Sequence, residues 1–147
     1  MRLEYHLAAS AALSILFYLL TESILGSVSL ILVGVFIDLD HFIDYWIAKK
    51  RISFDFKDFF DYFYAYQYKK ASVLFHSVEF IPIIALAGFF LFGKLITYGV
   101  LVGFISHIIL DYIGNETKPL TYSLVYRTWK RFDVSCFHDE RREKKAR

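Results

Sequence analysis

Long apolar runs alternate with short polar breaks along most of the chain. The first run, Tyr5 to Leu20, would be about 24 Å long as a helix, somewhat short of a hydrocarbon core of roughly 30 Å. Its Ala8, Ala9, Ala11, Ala12 and Ser14 are small enough to let another helix approach closely. Thr21-Glu22-Ser23 ends it in a polar turn. The second run, Ile24 to Ala48, is apolar as far as Ile37 and then carries Asp38, Asp40, His41 and Asp44, followed by the interface residues Tyr45 and Trp46. The third, Ser72 to Phe92, contains Pro82, a potential kink, and turns at Gly93-Lys94. The fourth, Leu95 to Ile113, ends at Gly114-Asn115, a helix stop. The pattern predicts an all-α integral membrane bundle of four transmembrane helices over residues 1–118, followed by a basic tail over 119–147. No small-residue cleavage site follows the first run, so it is expected to stay as a span.

Residues 49–70 have a different rhythm. Asp55, Asp58 and Asp61 recur every three positions, with Phe56, Phe59, Phe60, Phe63 and Tyr64 on the other side. This predicts an amphipathic helix lying in the membrane interface between the second and third spans, flanked by Lys49-Lys50-Arg51 and Lys69-Lys70.

Composition agrees. Of 147 residues 56% are hydrophobic and 20% aromatic. The charges gather between the runs, whereas a soluble helical domain would spread them along one face of each helix. With four spans, Lys94 falls on one side of the membrane and the other lysines and arginines on the opposite side, so both termini are expected in the cytoplasm. The single cysteine, Cys136, excludes an internal disulfide and a cysteine-built zinc site. There is no Gly-rich phosphate loop and no internal repeat. Membrane lipids are the expected partners and nucleic acid is not; no feature bears on oligomeric state.

An aspartate at the centre of a lipid-exposed helix costs about 2.5 to 3.5 kcal/mol. A metal, a water-filled cavity or a cationic partner must offset that cost at Asp38-Leu39-Asp40-His41. His6 opens the first span, His76 and Glu79 open the third, and His107 and Asp111 close the fourth. On the four-span topology all of these groups fall at the cytoplasmic end, at depths of roughly 2 to 15 Å. Asp38 and His41, His76 and Glu79, and His107 and Asp111 have the i, i+3 or i, i+4 spacing that shares a helix face. Asp40 points away from Asp38 on an ideal helix and joins them only if the helix breaks there. Neutral imidazole with carboxylate suits zinc, manganese or iron. The number of donors allows one or two divalent ions. His6, Asp38, His41, His76, His107 and Asp111 are the expected metal ligands. Asp40 or Glu79 would act as general base or orient a ligand. Asp44 reads as a boundary charge, and His138, in the charged tail, is left out. Ser77 and Ser106 each adjoin a histidine, but no oxyanion loop is visible and both fall inside predicted helices, which disfavours a serine hydrolase.

Four of these positions carry a resemblance. His6, Asp38-Leu39-Asp40-His41, Phe75-His76-Ser77 and Gly103-Phe104-Ile105-Ser106-His107-Ile108-Ile109-Leu110-Asp111 resemble the early histidine, Asp-x-Asp-His, Thr-His-Ser and Gly-x-x-Ser-His-x-x-x-Asp motifs of the membrane-bound metal-dependent hydrolases of the YdjM type. These are small bacterial and archaeal inner-membrane proteins. The resemblance runs from His6 to about Pro119. It departs where the family has His-Arg-Gly and this chain has Ala71-Ser72-Val73, and where Thr-Pro would follow Asp111 and Tyr112-Ile113-Gly114 stands instead. It implies a cytoplasmic-membrane hydrolase, with Glu79 available in place of the missing histidine. The His/Asp ligand set also resembles that of zinc-dependent phospholipases C, which makes zinc the first expectation and a lipid or lipid-linked phosphoester the expected substrate. The alternative is a non-enzymatic metal-binding membrane protein, holding a structural site or handling metal or protons. The outer halves of the runs, such as Leu25 to Phe36 and Ile83 to Phe92, carry no ionisable group, which argues against transport.

Overall fold

The structure is a computed structural model and describes residues 3–64, 68–115 and 117–137. Among these the chain is helical: α1 (Leu3–Thr21), α2 (Ile24–Phe36), α3 (Asp40–Lys49), α4 (Phe56–Tyr64), α5 (Phe80–Leu91), α6 (Lys94–Gly114) and α7 (Leu124–Trp129), with 3-10 turns at Ile37–Leu39 and Val134–Cys136. The only β pairing among the described residues is an isolated antiparallel bridge between Lys70 and Asp133. The all-α expectation holds. His138 and the basic run to Arg147 lie outside the described residues.

Among the described residues three helical runs are long and apolar enough to cross a membrane: Leu3–Thr21, Ile24–Lys49 and Lys94–Gly114, of 19, 26 and 21 residues. That is one fewer than the pattern predicts. The difference falls on residues 72–92, which become helical only at Phe80 and give α5 12 residues. The amides of Val73 and Phe75 are taken by carboxylates of α3 and cannot serve a helix. Pro82 stands in the first turn of α5, where its missing N–H costs nothing. Of the helix expected over 49–70, the described residues show α4, and the stretch between α3 and Phe56 is not helical.

The chain divides into two compact units, Met1–Ile37 with Val78–Glu116, and Asp38–Ser77 with Thr117–Arg147. The first holds α1, α2, α5 and α6. Glu22 turns the chain with φ 54°, and Ser23 caps α2 by accepting from the Gly26 amide at 3.1 Å. The Ser14 hydroxyl donates to Ser27 O across α1 and α2, 2.8 Å away. α2 and α6 approach backbone to backbone. A Cβ on Gly99 would strike the Gly26 carbonyl, and one on Gly103 the Leu30 carbonyl. Gly99 and Gly103 form a G-x-x-x-G pair, which lets helices meet without a layer of side chains.

The second unit holds α3, α4, α7 and the segments between. Phe59 stacks on Phe42, ring centroids 4.1 Å apart. The Tyr45 hydroxyl and Lys49 Nζ both donate to Asp58, at 2.6 and 2.8 Å. These bonds, the Lys49 one foremost, hold the Asp58 carboxyl below the usual carboxylate range. Ala71, Val73, Cys136 and Phe137 form a small core. Burial raises the Cys136 thiol's pKa, so the chain's one thiol is a packing group and a poor ligand. Arg127 is buried and donates to the Ser77 hydroxyl.

Candidate metal centre

The 3-10 turn at Ile37–Leu39 breaks the second run at Asp38, and α3 starts anew at Asp40. This is the break that Asp40 needs to join its neighbours. His76 lies between the two carboxylates: Asp38 Oδ1 is 3.1 Å from its Nε2 and Asp40 Oδ2 is 3.1 Å from its Nδ1. His41 Nε2 stands 3.7 Å from the same Asp38 oxygen, and the two imidazole centroids are 5.1 Å apart. Asp40, His41 and His76 each offer a ligand atom within 4.8 Å of the others.

The donor chemistry fits a divalent cation. With Nδ1–H donating to Asp40, neutral His76 turns the lone pair of Nε2 toward Asp38. Two electron-rich atoms at 3.1 Å call for a proton or a cation beside them. Four ligands at zinc distances of about 2.0 to 2.1 Å lie roughly 3.3 to 3.4 Å from one another in a tetrahedron. The spacings of 3.1 and 3.7 Å bracket that value. Asp40 takes the place of the carboxylate that fixes a ligating imidazole. Its Oδ2 also accepts from the Phe75 amide at 2.8 Å. Its Oδ1 is buried with no hydrogen-bond partner among the described residues, a position that costs free energy unless something else occupies it.

α3 holds His76 in a stretch that is not helical. One turn beyond Asp40, Asp44 accepts from the Ser72 hydroxyl and, at 2.8 Å, from the Val73 amide. Val73 has φ 33°, a costly conformation for a β-branched residue, and the His76 amide closes the turn onto its carbonyl at 3.0 Å. Asp44, read from the sequence as a boundary charge, is therefore a buried clasp. Contrary to the expectation from their i, i+3 spacing, His76 does not share a helix with Glu79: His76 is in a non-helical stretch, and Glu79 caps the start of α5 in the first unit. Ser77 is not in a helix either. Its hydroxyl donates to Leu74 O at 2.6 Å and accepts from Arg127, which leaves it unsuited to act as a nucleophile. Ser106 Oγ bonds back to Gly103 O at 3.0 Å.

The first unit carries its own group. His6 from α1 and His107 and Asp111 from α6 are all buried. His6 Nε2 lies 3.1 Å from Asp111 Oδ1, and His107 Nε2 lies 3.6 Å from Asp111 Oδ2. The two imidazoles stack at 3.9 Å. His107 Nδ1 donates to the Gly34 carbonyl at 2.9 Å, a reach that depends on the glycine contacts of α2 and α6. That bond fixes the tautomer and leaves Nε2 facing the aspartate. The Asn115 side chain donates to Asp111 Oδ1 at 3.0 Å, so Oδ1 is held by two donors while Oδ2 faces His107. His6 Nδ1 is buried with no hydrogen-bond partner among the described residues.

Asp38, Asp40, His41 and His76 are thus together in one unit, and His6, His107 and Asp111 in the other. The sequence reading missed Asp44, Asn115, Gly34 and Arg127. Asn115 stands four residues beyond Asp111, a spacing that signals the bond it makes; Gly99-x-x-x-Gly103 signals the close helix contact. No family model, curated protein or solved structure matches the chain.

Proposed function

We propose that this chain is a membrane-embedded, metal-dependent hydrolase acting on a lipid or lipid-linked phosphoester, related to the membrane-bound hydrolases whose motifs it resembles. The observation that carries this reading is His76 held between two buried or half-buried carboxylates with His41 beside them. A bound divalent ion, zinc first and manganese or iron next, would supply Lewis acidity toward a phosphoryl oxygen and a lowered pKa for water. Asp38, His41 and His76 would hold it in the second unit, with Asp40 fixing His76 through Nδ1. In the first unit His107 and Asp111 are a further donor pair, and His6 and Asn115 hold Asp111 in place. Metal analysis of the purified chain, followed by assay of the loaded protein on phospholipid and short-chain phosphodiesters, tests the reading. Bound metal with phosphoester turnover is expected; a chain that retains no divalent metal would refute it.

The burial of His6, Asp40, His76, His107 and Asp111 favours a second reading, since structural metal sites are closed. A chain that holds its metal tightly and hydrolyses no phosphoester would establish that alternative.

The same proposal places the three long runs in a bacterial or archaeal cytoplasmic membrane, with α5 as a short fourth apolar element packed on α6 and both termini in the cytoplasm. A Lys94→Cys variant on a Cys136→Ser background is expected to react with an impermeant thiol reagent from outside the cell. Reaction at position 50 from that side would invert the topology.

A further inference from the structure

The sequence points to α4 as the face that meets the membrane, but its aromatic residues divide. Phe59 is only 8% exposed and packs on Phe42 and Tyr45. Phe63 packs on Phe59 and on the His41 ring. Phe60 is 40% exposed, and more exposed apolar side chains precede it, from the end of α3 to the start of α4: Ile47 at 69%, Ile52 at 74%, Phe54 at 66% and Phe56 at 60% exposure. Lys50, Arg51 and Lys57 are exposed among them. The segment is braced. Lys50 ends α3 in the left-handed region, φ 54°. The Trp46 indole donates to Ser53 O at 2.8 Å, and its ring meets Phe54 edge-on at 5.5 Å.

We infer that residues 47–57 form a docking surface for anionic phospholipid headgroups. The segment leaves the end of a 26-residue apolar run, so on the membrane reading it lies at headgroup depth, where exposed apolar side chains can enter the acyl boundary. Cations interleaved with apolar residues are what a negatively charged lipid surface selects. Lys49 is already committed to Asp58, which leaves Lys50, Arg51 and Lys57 to meet phosphate. Phe54 and Phe56 would lie below them, with Trp46 at the boundary.

The proposal rests on the membrane reading and not on hydrolysis. Trp46 is its reporter, because Trp129 is the only other tryptophan and its exposure allows a Trp129→Phe background. The full chain is placed in phosphatidylcholine nanodiscs carrying either brominated phosphatidylglycerol or brominated phosphatidylcholine at equal mole fraction. Trp46 fluorescence is expected to be quenched more strongly by the anionic lipid, and the difference should shrink as salt is raised. In the Lys50→Gln, Arg51→Gln, Lys57→Gln variant the preference should fall roughly fivefold per cation removed, with metal content unchanged. Equal quenching by both lipids in the parent, or a preference that survives the triple variant, would overturn the proposal. Quenching by neither would overturn it together with the membrane reading, whatever the metal analysis shows.

Discussion

His76→Ala is expected to strip the second unit's donor group of its metal. His76 meets each of the other three residues there: Asp38 on Nε2, Asp40 on Nδ1, and the His41 ring at 5.1 Å. Removing it deletes a ligand and leaves two carboxylates facing each other across the gap. Affinity should fall by more than about a hundredfold, because losing only an orienting group already costs roughly 10- to 100-fold. Asp40→Asn should fall within that smaller range, since the amide still fills the space but no longer fixes the imidazole as strongly. Titration of apo protein with Co(II), followed by its visible absorption, measures both. His76→Ala with the parent's affinity would remove the basis of the proposed function. Any phosphoester turnover should drop in parallel with metal occupancy.

The second large effect concerns stability. Gly103→Ala is expected to cost at least about 2 kcal/mol, because overpacking against an unyielding neighbour commonly costs 1 to 3 kcal/mol or more. The obstacle is the Leu30 carbonyl, part of a helix backbone that cannot rotate away. Gly99→Ala meets the Gly26 carbonyl in the same way. Gly88→Ala is the comparison: its new methyl would press on the Thr97 side chain and not on a helix backbone. Melting of the three variants in one detergent should order them with Gly88→Ala the mildest. A parent-like melting temperature for Gly103→Ala would mean that α2 and α6 do not meet as described. Because the same contact brings Gly34 O to His107, loosening it should also weaken the first unit's donor group.

Much of this was readable in advance, for identifiable reasons. The long apolar runs and the pairing of His107 with Asp111 follow from hydropathy and helical spacing, which are local; the break at Asp38 stood only as the condition under which Asp40 would join its neighbours. His76 was found as a residue and misplaced as a helix position. Its surroundings depend on Asp40 and Asp44, more than 30 residues away in sequence, which take the amides a helix would have used. The same long-range capture hid Asp44, since a buried acceptor and a boundary charge look identical in a sequence. Phe59 and Phe63 show the opposite difficulty: amphipathic spacing identifies an apolar face but cannot say whether lipid or α3 will cover it.

The clasp on α3 also bears on how this chain can change its length. Asp40 and Asp44 are four residues apart and grip successive parts of the 72–76 segment. The lateral placement of His76 is therefore set by one helical turn and not by the helix that follows it in the chain. Residues inserted between Ser77 and Phe80 would leave that grip as it is. A single residue inserted between Asp40 and Asp44 would swing one carboxylate about 100° around the helix axis, and the register between helix and segment would be lost.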